Sequence, residues 1–150
     1  MDTPYMSASP RFRRDVAMNV FAALNGLLAV VAGAFAAHSL RRWLDASALE
    51  LVRTAAHYEM IHALAILAVG AFFSTPGCAD RALKLWRAAR FCFTVGIVLF
   101  SGSLYFLAFT KMRALGLITP FGGLAFIAGW LLAAAGFLQL RSFSLSQQQD

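Results

Sequence analysis

Charge is scarce in this sequence. Asp, Glu, Lys and Arg make up 13% of the 150 residues, against about a quarter in a soluble domain. That shortage excludes an ordinary water-facing globular surface, and with it most soluble enzyme classes. Cysteine is nearly missing as well. Cys78 and Cys92 do not have metal-ligand spacing and are expected to be unpaired and reduced. There is no phosphate-binding loop, dinucleotide fingerprint or catalytic triad signature. Acidic residues number only seven against 13 basic ones, a net charge of +6. The basic residues flank apolar runs, where anionic lipid headgroups lie, so membrane lipids are the expected partner and nucleic acid is not.

What the sequence does have is grease. It is 60% hydrophobic, with a mean hydropathy of +0.68. Four runs free of Asp, Glu, Lys and Arg, at 16–37, 60–79, 91–110 and 114–140, each reach the ~20 residues a spanning helix needs. The expected fold is all-α, an integral membrane four-helix bundle with helices at about 16–37, 48–73, 91–109 and 120–140. A short amphipathic helix at about 81–90 is expected to lie on the bilayer surface. The tails at 1–15 and 141–150 are polar and expected to be disordered, leaving 16–140 as the transmembrane domain. A cleaved signal peptide ending at Ala34-Phe35-Ala36 is disfavoured, because its apolar core would exceed the usual 7–15 residues.

Local signals set the boundaries. Ser47-Ala48-Leu49-Glu50 matches a capping box and opens the second helix, which Pro76-Gly77 ends. Thr119-Pro120 reads as an N-cap followed by proline at the first helical position. Gly26 and Gly33 with neighbouring alanines mark one small-residue seam, and Gly122, Gly129 and Gly136 mark another. Ser101, Gly102 and Ser103 are assigned to helix packing as well, since small residues allow the close backbone approach that holds helices together in lipid. Asn19 and Asn25 are expected to hydrogen-bond to a neighbouring helix. Arg81, Lys84, Trp86, Arg87 and Arg90 are expected to contact lipid on the surface helix. Eight Lys and Arg fall on the side of the termini and five on the other, which places both termini in the cytoplasm.

The chemically unusual stretch is Tyr58-Glu59-Met60-Ile61-His62, expected inside the membrane though not deep. With His38 it forms an intramembrane polar cluster of His38, Tyr58, Glu59 and His62. A charged side chain costs about 2.5–3.5 kcal/mol to insert at a helix centre, so such a residue is a functional candidate by default. Two sharper readings are a metal or haem site on His38 and His62, and proton-coupled transport with Glu59 titrating. The plainer reading, an interhelical hydrogen-bond network, is favoured, because two histidines without a third ligand are weak evidence for a metal. No residue is assigned a catalytic role and no cofactor is expected. The expected role is structural or accessory, through lipid contact, self-association or a partner complex.

The same segments carry a resemblance. Gly33-Ala34-Phe35-Ala36-Ala37-His38-Ser39-Leu40, Tyr58-Glu59-Met60-Ile61-His62-Ala63-Leu64, Phe100-Ser101-Gly102-Ser103-Leu104-Tyr105, Ile118-Thr119-Pro120-Phe121-Gly122-Gly123 and Gly129-Trp130 follow the order of motifs in one family. The chain resembles the YgdD/YwdK-like group of small bacterial inner-membrane proteins. That resemblance implies four membrane helices and a bacterial inner-membrane location, and it brings no established activity. Ala36 and Ser39 stand where the family pattern prefers Gly, and Glu59 where it prefers Gln.

Overall fold

The computed structural model describes residues 10–74 and 79–146, with side chains over 12–73 and 79–139. The elements among the described residues are all helical, with no strand among them. Helix α1 runs over Pro10–Ala37 and α2 over Ala46–Ala71. A long rod follows, made of α3, Asp80–Gly96, a π-helical segment, Ile97–Ser101, and α4, Gly102–Thr110. Helix α5 spans Thr119–Ser146. Three of these, over Phe12–Ala37, Asp80–Thr110 and Arg113–Gln139, are long and apolar enough to cross a membrane.

Helix α2 is the hub. It packs against α1 on one side and against the α3–α4 rod on another, while its His62 reaches Phe126 and Trp130 of α5. Its polar centre is therefore shielded by the three greasier helices. Two clusters hold the bundle. One joins Ala22, Ile66, Trp86, Phe93, Phe126 and Ala133 across all four rods. The other joins Ala36, Ala48, Val52 and Ala108 at the end where α1 turns into α2.

The contact between the rod and α5 is an antiparallel interlock. Trp86, Phe93 and Phe100 recur every seven residues, as do Gly136, Gly129 and Gly122 on α5. A β-carbon at Gly136 would lie 2.3 Å from the Trp86 ring and one at Gly129 2.5 Å from Phe93. At Gly122 it would lie 2.4 Å from the backbone nitrogen of Phe100. In return Phe126 of α5 fills the space above Gly96. With little hydrophobic drive between helices in lipid, this aromatic-on-glycine fit supplies close dispersion contact instead.

Several boundaries differ from the sequence reading, each for a local reason. Helix α1 begins at Pro10, six residues early, since proline suits a first helical position. The other expectations for 1–9 and 147–150, together with Pro76-Gly77 and Cys78, lie outside the described residues. Cys92 is a half-buried free thiol. The capping box at Ser47 is not made. Asp45 caps α2 instead, accepting from the Ala48 amide at 2.9 Å and the Ser47 hydroxyl at 2.7 Å, and Glu50 pairs loosely with Arg53. A carboxylate two residues upstream is the stronger acceptor and takes the role. Thr119 is the first residue of α5 rather than its cap, and its hydroxyl meets Ser103 at 2.7 Å.

The surface helix at 81–90 is not separate; it is the first half of the rod. Ala82, Trp86, Ala89 and Phe93 are completely buried, so the apolar stripe faces the bundle rather than the bilayer. Trp86 and Arg90 are thus inside the protein, while Arg81 and Lys84 are exposed and Arg87 lies half-buried over the Phe73 ring. On α1 the seam is made by Ala22, Ala29 and Ala36. Gly26 and Gly33 face open space, and so does Gly102.

Candidate functional site

The residues singled out in the sequence separate into three places. His38 is exposed just past the end of α1, beside Ser39, Arg42 and Trp43. His62 lies 16 residues into α2, about 24 Å along it at 1.5 Å per residue. The two histidines do not meet. Among the described residues no three His, Cys, Asp or Glu side chains converge as a metal site would require.

Glu59 and His62 sit three residues apart but turn to different neighbours. Glu59 is 1% exposed and accepts a hydrogen bond at Oε2 from the Tyr105 hydroxyl of α4, at 2.7 Å. It stands 13 residues into a 26-residue helix, about 20 Å from its start. Glu59 is therefore at the middle of α2. A cleft of about 350 Å3 opens beside it, lined also by Asn25, Ser101 and Ser103.

His62 faces α5. Its Nδ1 lies 2.7 Å from the Tyr58 carbonyl oxygen, and its Nε2 lies 3.2 Å from the indole nitrogen of Trp130. A carbonyl can only accept and an indole N–H can only donate, so the ring carries its proton on Nδ1 and accepts at Nε2. The ring stacks on Phe126, centroids 3.5 Å apart and 9° from parallel. Tyr58 is part of the same aromatic group, 4.7 Å from Phe100, with its side chain 40% exposed. Both ring nitrogens of His62 are committed to protein partners, which leaves neither free for a metal in this arrangement.

A third polar node joins α1, α2 and α3. Arg90 is fully buried; its guanidinium donates to Asn19 Oδ1 at 2.6 Å and to Asp15 Oδ1 at 3.3 Å, and it lies over the Phe73 ring at 5.0 Å. Gly70 makes room: a β-carbon there would lie 3.1 Å from both the guanidinium carbon and the Asn19 oxygen. Asn19 thus makes the interhelical bond expected of it, whereas Asn25 donates to the Phe21 carbonyl of its own helix. Asp15 escaped the sequence reading because an acidic residue at the end of a basic tail looks solvent-exposed, and Arg90 is expected there to contact lipid. Tyr105 and Trp130, the partners of Glu59 and His62, lie within the motif segments but carry no spacing signal that links them to α2.

Comparison with known proteins agrees with the architecture. Residues 32–123 match the family described as a protein of unknown function, DUF423. The chain is 36% identical over 132 residues to the UPF0382 inner membrane protein YgdD of Escherichia coli K12, covering 87% of this chain and 96% of that protein. It is 41% identical over 121 residues to the UPF0382 membrane protein SSP2132 of Staphylococcus saprophyticus, covering 81% and 96%. A Haemophilus influenzae UPF0382 membrane protein is 42% identical over 120 residues, covering 80% and 92%. No solved structure matches. With a match over most of its length and an all-helical bundle rich in spanning-length apolar helices, the chain belongs to the DUF423 (UPF0382) family of membrane proteins.

Proposed function

We propose that this chain is a multi-pass inner-membrane protein that performs no chemistry of its own and serves as a structural or accessory component, through lipid contact, self-association or a partner complex. The observation that carries the reading is the commitment of its central polar groups to protein partners, mostly on neighbouring helices. His62 uses both ring nitrogens, Glu59 takes the Tyr105 hydroxyl, and Arg90 is held by Asp15 and Asn19. Groups so engaged define which helix faces meet. In lipid that is a structural task in itself, since unsatisfied polar groups there are costly.

The placement rests on related evidence. The Escherichia coli relative is named an inner membrane protein. Helix α2 is the fourth crossing in this reading: Glu59 and His62 are tolerated because they are buried against the rod and α5. The excess of Lys and Arg on the side of the termini favours cytoplasmic ends.

The test uses protein purified in mild detergent, together with chemical crosslinking in native membranes. The expected result is a featureless visible spectrum, metal content well below one equivalent, and a reproducible crosslinked homo-oligomer or partner. A chromophore or one equivalent of metal that disappears in His62→Gln overturns the reading.

A further inference from the structure

The rod is irregular at one place, and three features coincide there. Ile97–Ser101 winds as a π-helix. π-segments of this kind occur mostly as single turns and frequently at functional sites. Ser101, at its end, is 1% exposed and its hydroxyl has no hydrogen-bond partner. The other serine and threonine hydroxyls of the rod are satisfied by carbonyls of their own helix: Thr94 by Arg90, Ser103 by Phe100 and Thr110 by Phe106. Ser101 lines the cleft of about 350 Å3 that Glu59 also lines.

The cleft is the gap left where α1 and α4 both lean on α2. Leu28 of α1 and Phe106 of α4, both lining it, are 51% and 65% exposed on the apolar outer surface, so the mouth faces hydrocarbon. Its walls are mostly apolar, with polar side chains only from Asn25, Glu59, Ser101, Ser103 and Tyr105. A buried hydroxyl without a partner costs about 1–3 kcal/mol. An occupant that supplies the missing bond recovers that.

We propose that this cleft is a binding site for a neutral, bilayer-dissolved aliphatic alcohol, which places its hydroxyl between Glu59 and Ser101 and its chain along Leu28 and Phe106. The hydroxyl suits both groups because it donates and accepts: it gives its proton to a Glu59 oxygen and receives the proton of Ser101. A neutral ligand is selected by the route, since a charged group crossing hydrocarbon to mid-helix would carry a large penalty. Gly102, which also lines the cleft, has nothing within 4 Å of a β-carbon, so a larger side chain there has open space to enter.

The experiment reconstitutes the full chain in phosphatidylcholine vesicles and photolabels it with 3-azioctanol, with octanol as competitor and labelled residues mapped by mass spectrometry. Labelling that saturates, falls on Asn25, Leu28, Val98 or Phe106, and is displaced by octanol is expected. Ser101→Ala should weaken apparent affinity roughly three- to tenfold, the loss of one hydrogen bond. Gly102→Leu, which fills open space and leaves thermal unfolding unchanged, should abolish the saturable component. Labelling that rises with concentration without a plateau overturns the proposal. So does saturable labelling that survives Gly102→Leu, or an affinity unchanged in Ser101→Ala.

Discussion

Trp130 of α5 donates its indole N–H to His62 Nε2 of α2 across 3.2 Å, between residues 68 apart in sequence. Because the other ring nitrogen faces the Tyr58 carbonyl, the imidazole is held neutral in one tautomer. Trp130→Phe removes the donor while keeping most of the ring, and should cost about 0.6–1.5 kcal/mol in denaturant titration of detergent-solubilised protein. Nitrogen NMR of the wild-type imidazole should show the proton on Nδ1, and a proton on Nε2 would contradict the geometry.

The glycines make a graded prediction. Gly122→Ala forces a β-carbon against the Phe100 backbone, which cannot swing aside, and should destabilise by about 2–3 kcal/mol. Gly129→Ala meets the buried Phe93 ring and should cost somewhat less. Gly26→Ala and Gly33→Ala meet nothing and should stabilise α1 by about 0.5–1 kcal/mol through reduced backbone entropy. Thermal unfolding of the four variants orders them, and equal effects on α1 and α5 would refute the interlock.

At the Arg90 node the sign of a double substitution is the informative quantity. Asp15→Ala leaves a fully buried guanidinium with less compensation and should cost about 3–5 kcal/mol, tempered by the partial exposure of Asp15. Arg90→Met removes the charge and refills the space. The double variant Asp15→Ala with Arg90→Met should therefore be more stable than Asp15→Ala alone. A double variant that is merely the sum of two losses shows that the ion pair carries no coupling.

Asp45 governs how α2 begins. The Ala48 amide, the Ser47 hydroxyl and Lys111 hold its carboxyl well below the usual range. A lowered value in the folded chain means the cap is at full strength above the ordinary carboxylate pKa, about 3.9. It weakens as pH falls below that. Hydrogen exchange at the Ala48 amide should speed up in Asp45→Ala, and Asp45→Asn should stay close to wild type because asparagine also caps.

The helices were legible in the sequence because run length against bilayer thickness is a strong signal, and 16–37 and 120–140 fall inside the observed α1 and α5. The seven-residue glycine repeat of α5 was legible too. What it receives was not: the stripe through Trp86 and Phe93 was read against the bilayer, since an amphipathic helix with Arg81, Lys84 and Arg87 fits either a headgroup layer or a bundle. Periodicity tells that a face is apolar and is silent on what covers it. For the same reason His38 and His62, adjacent in the motif order, turn out to be separated by most of a helix length. Composition also carries no trace of the π-segment, because an extra residue in a turn leaves the local chemistry unchanged.

That surplus residue between Gly96 and Gly102 acts as a phase adjuster in a screw. Below it, Trp86 and Phe93 keep time with the glycines of α5; above it, the thread is advanced so that Tyr105 arrives facing Glu59. If the same residues wound as ordinary α-helix, everything beyond them would be turned by about 100°. The outer half of the rod would then present its phenol elsewhere, leaving a mid-helix acid with no donor from that side.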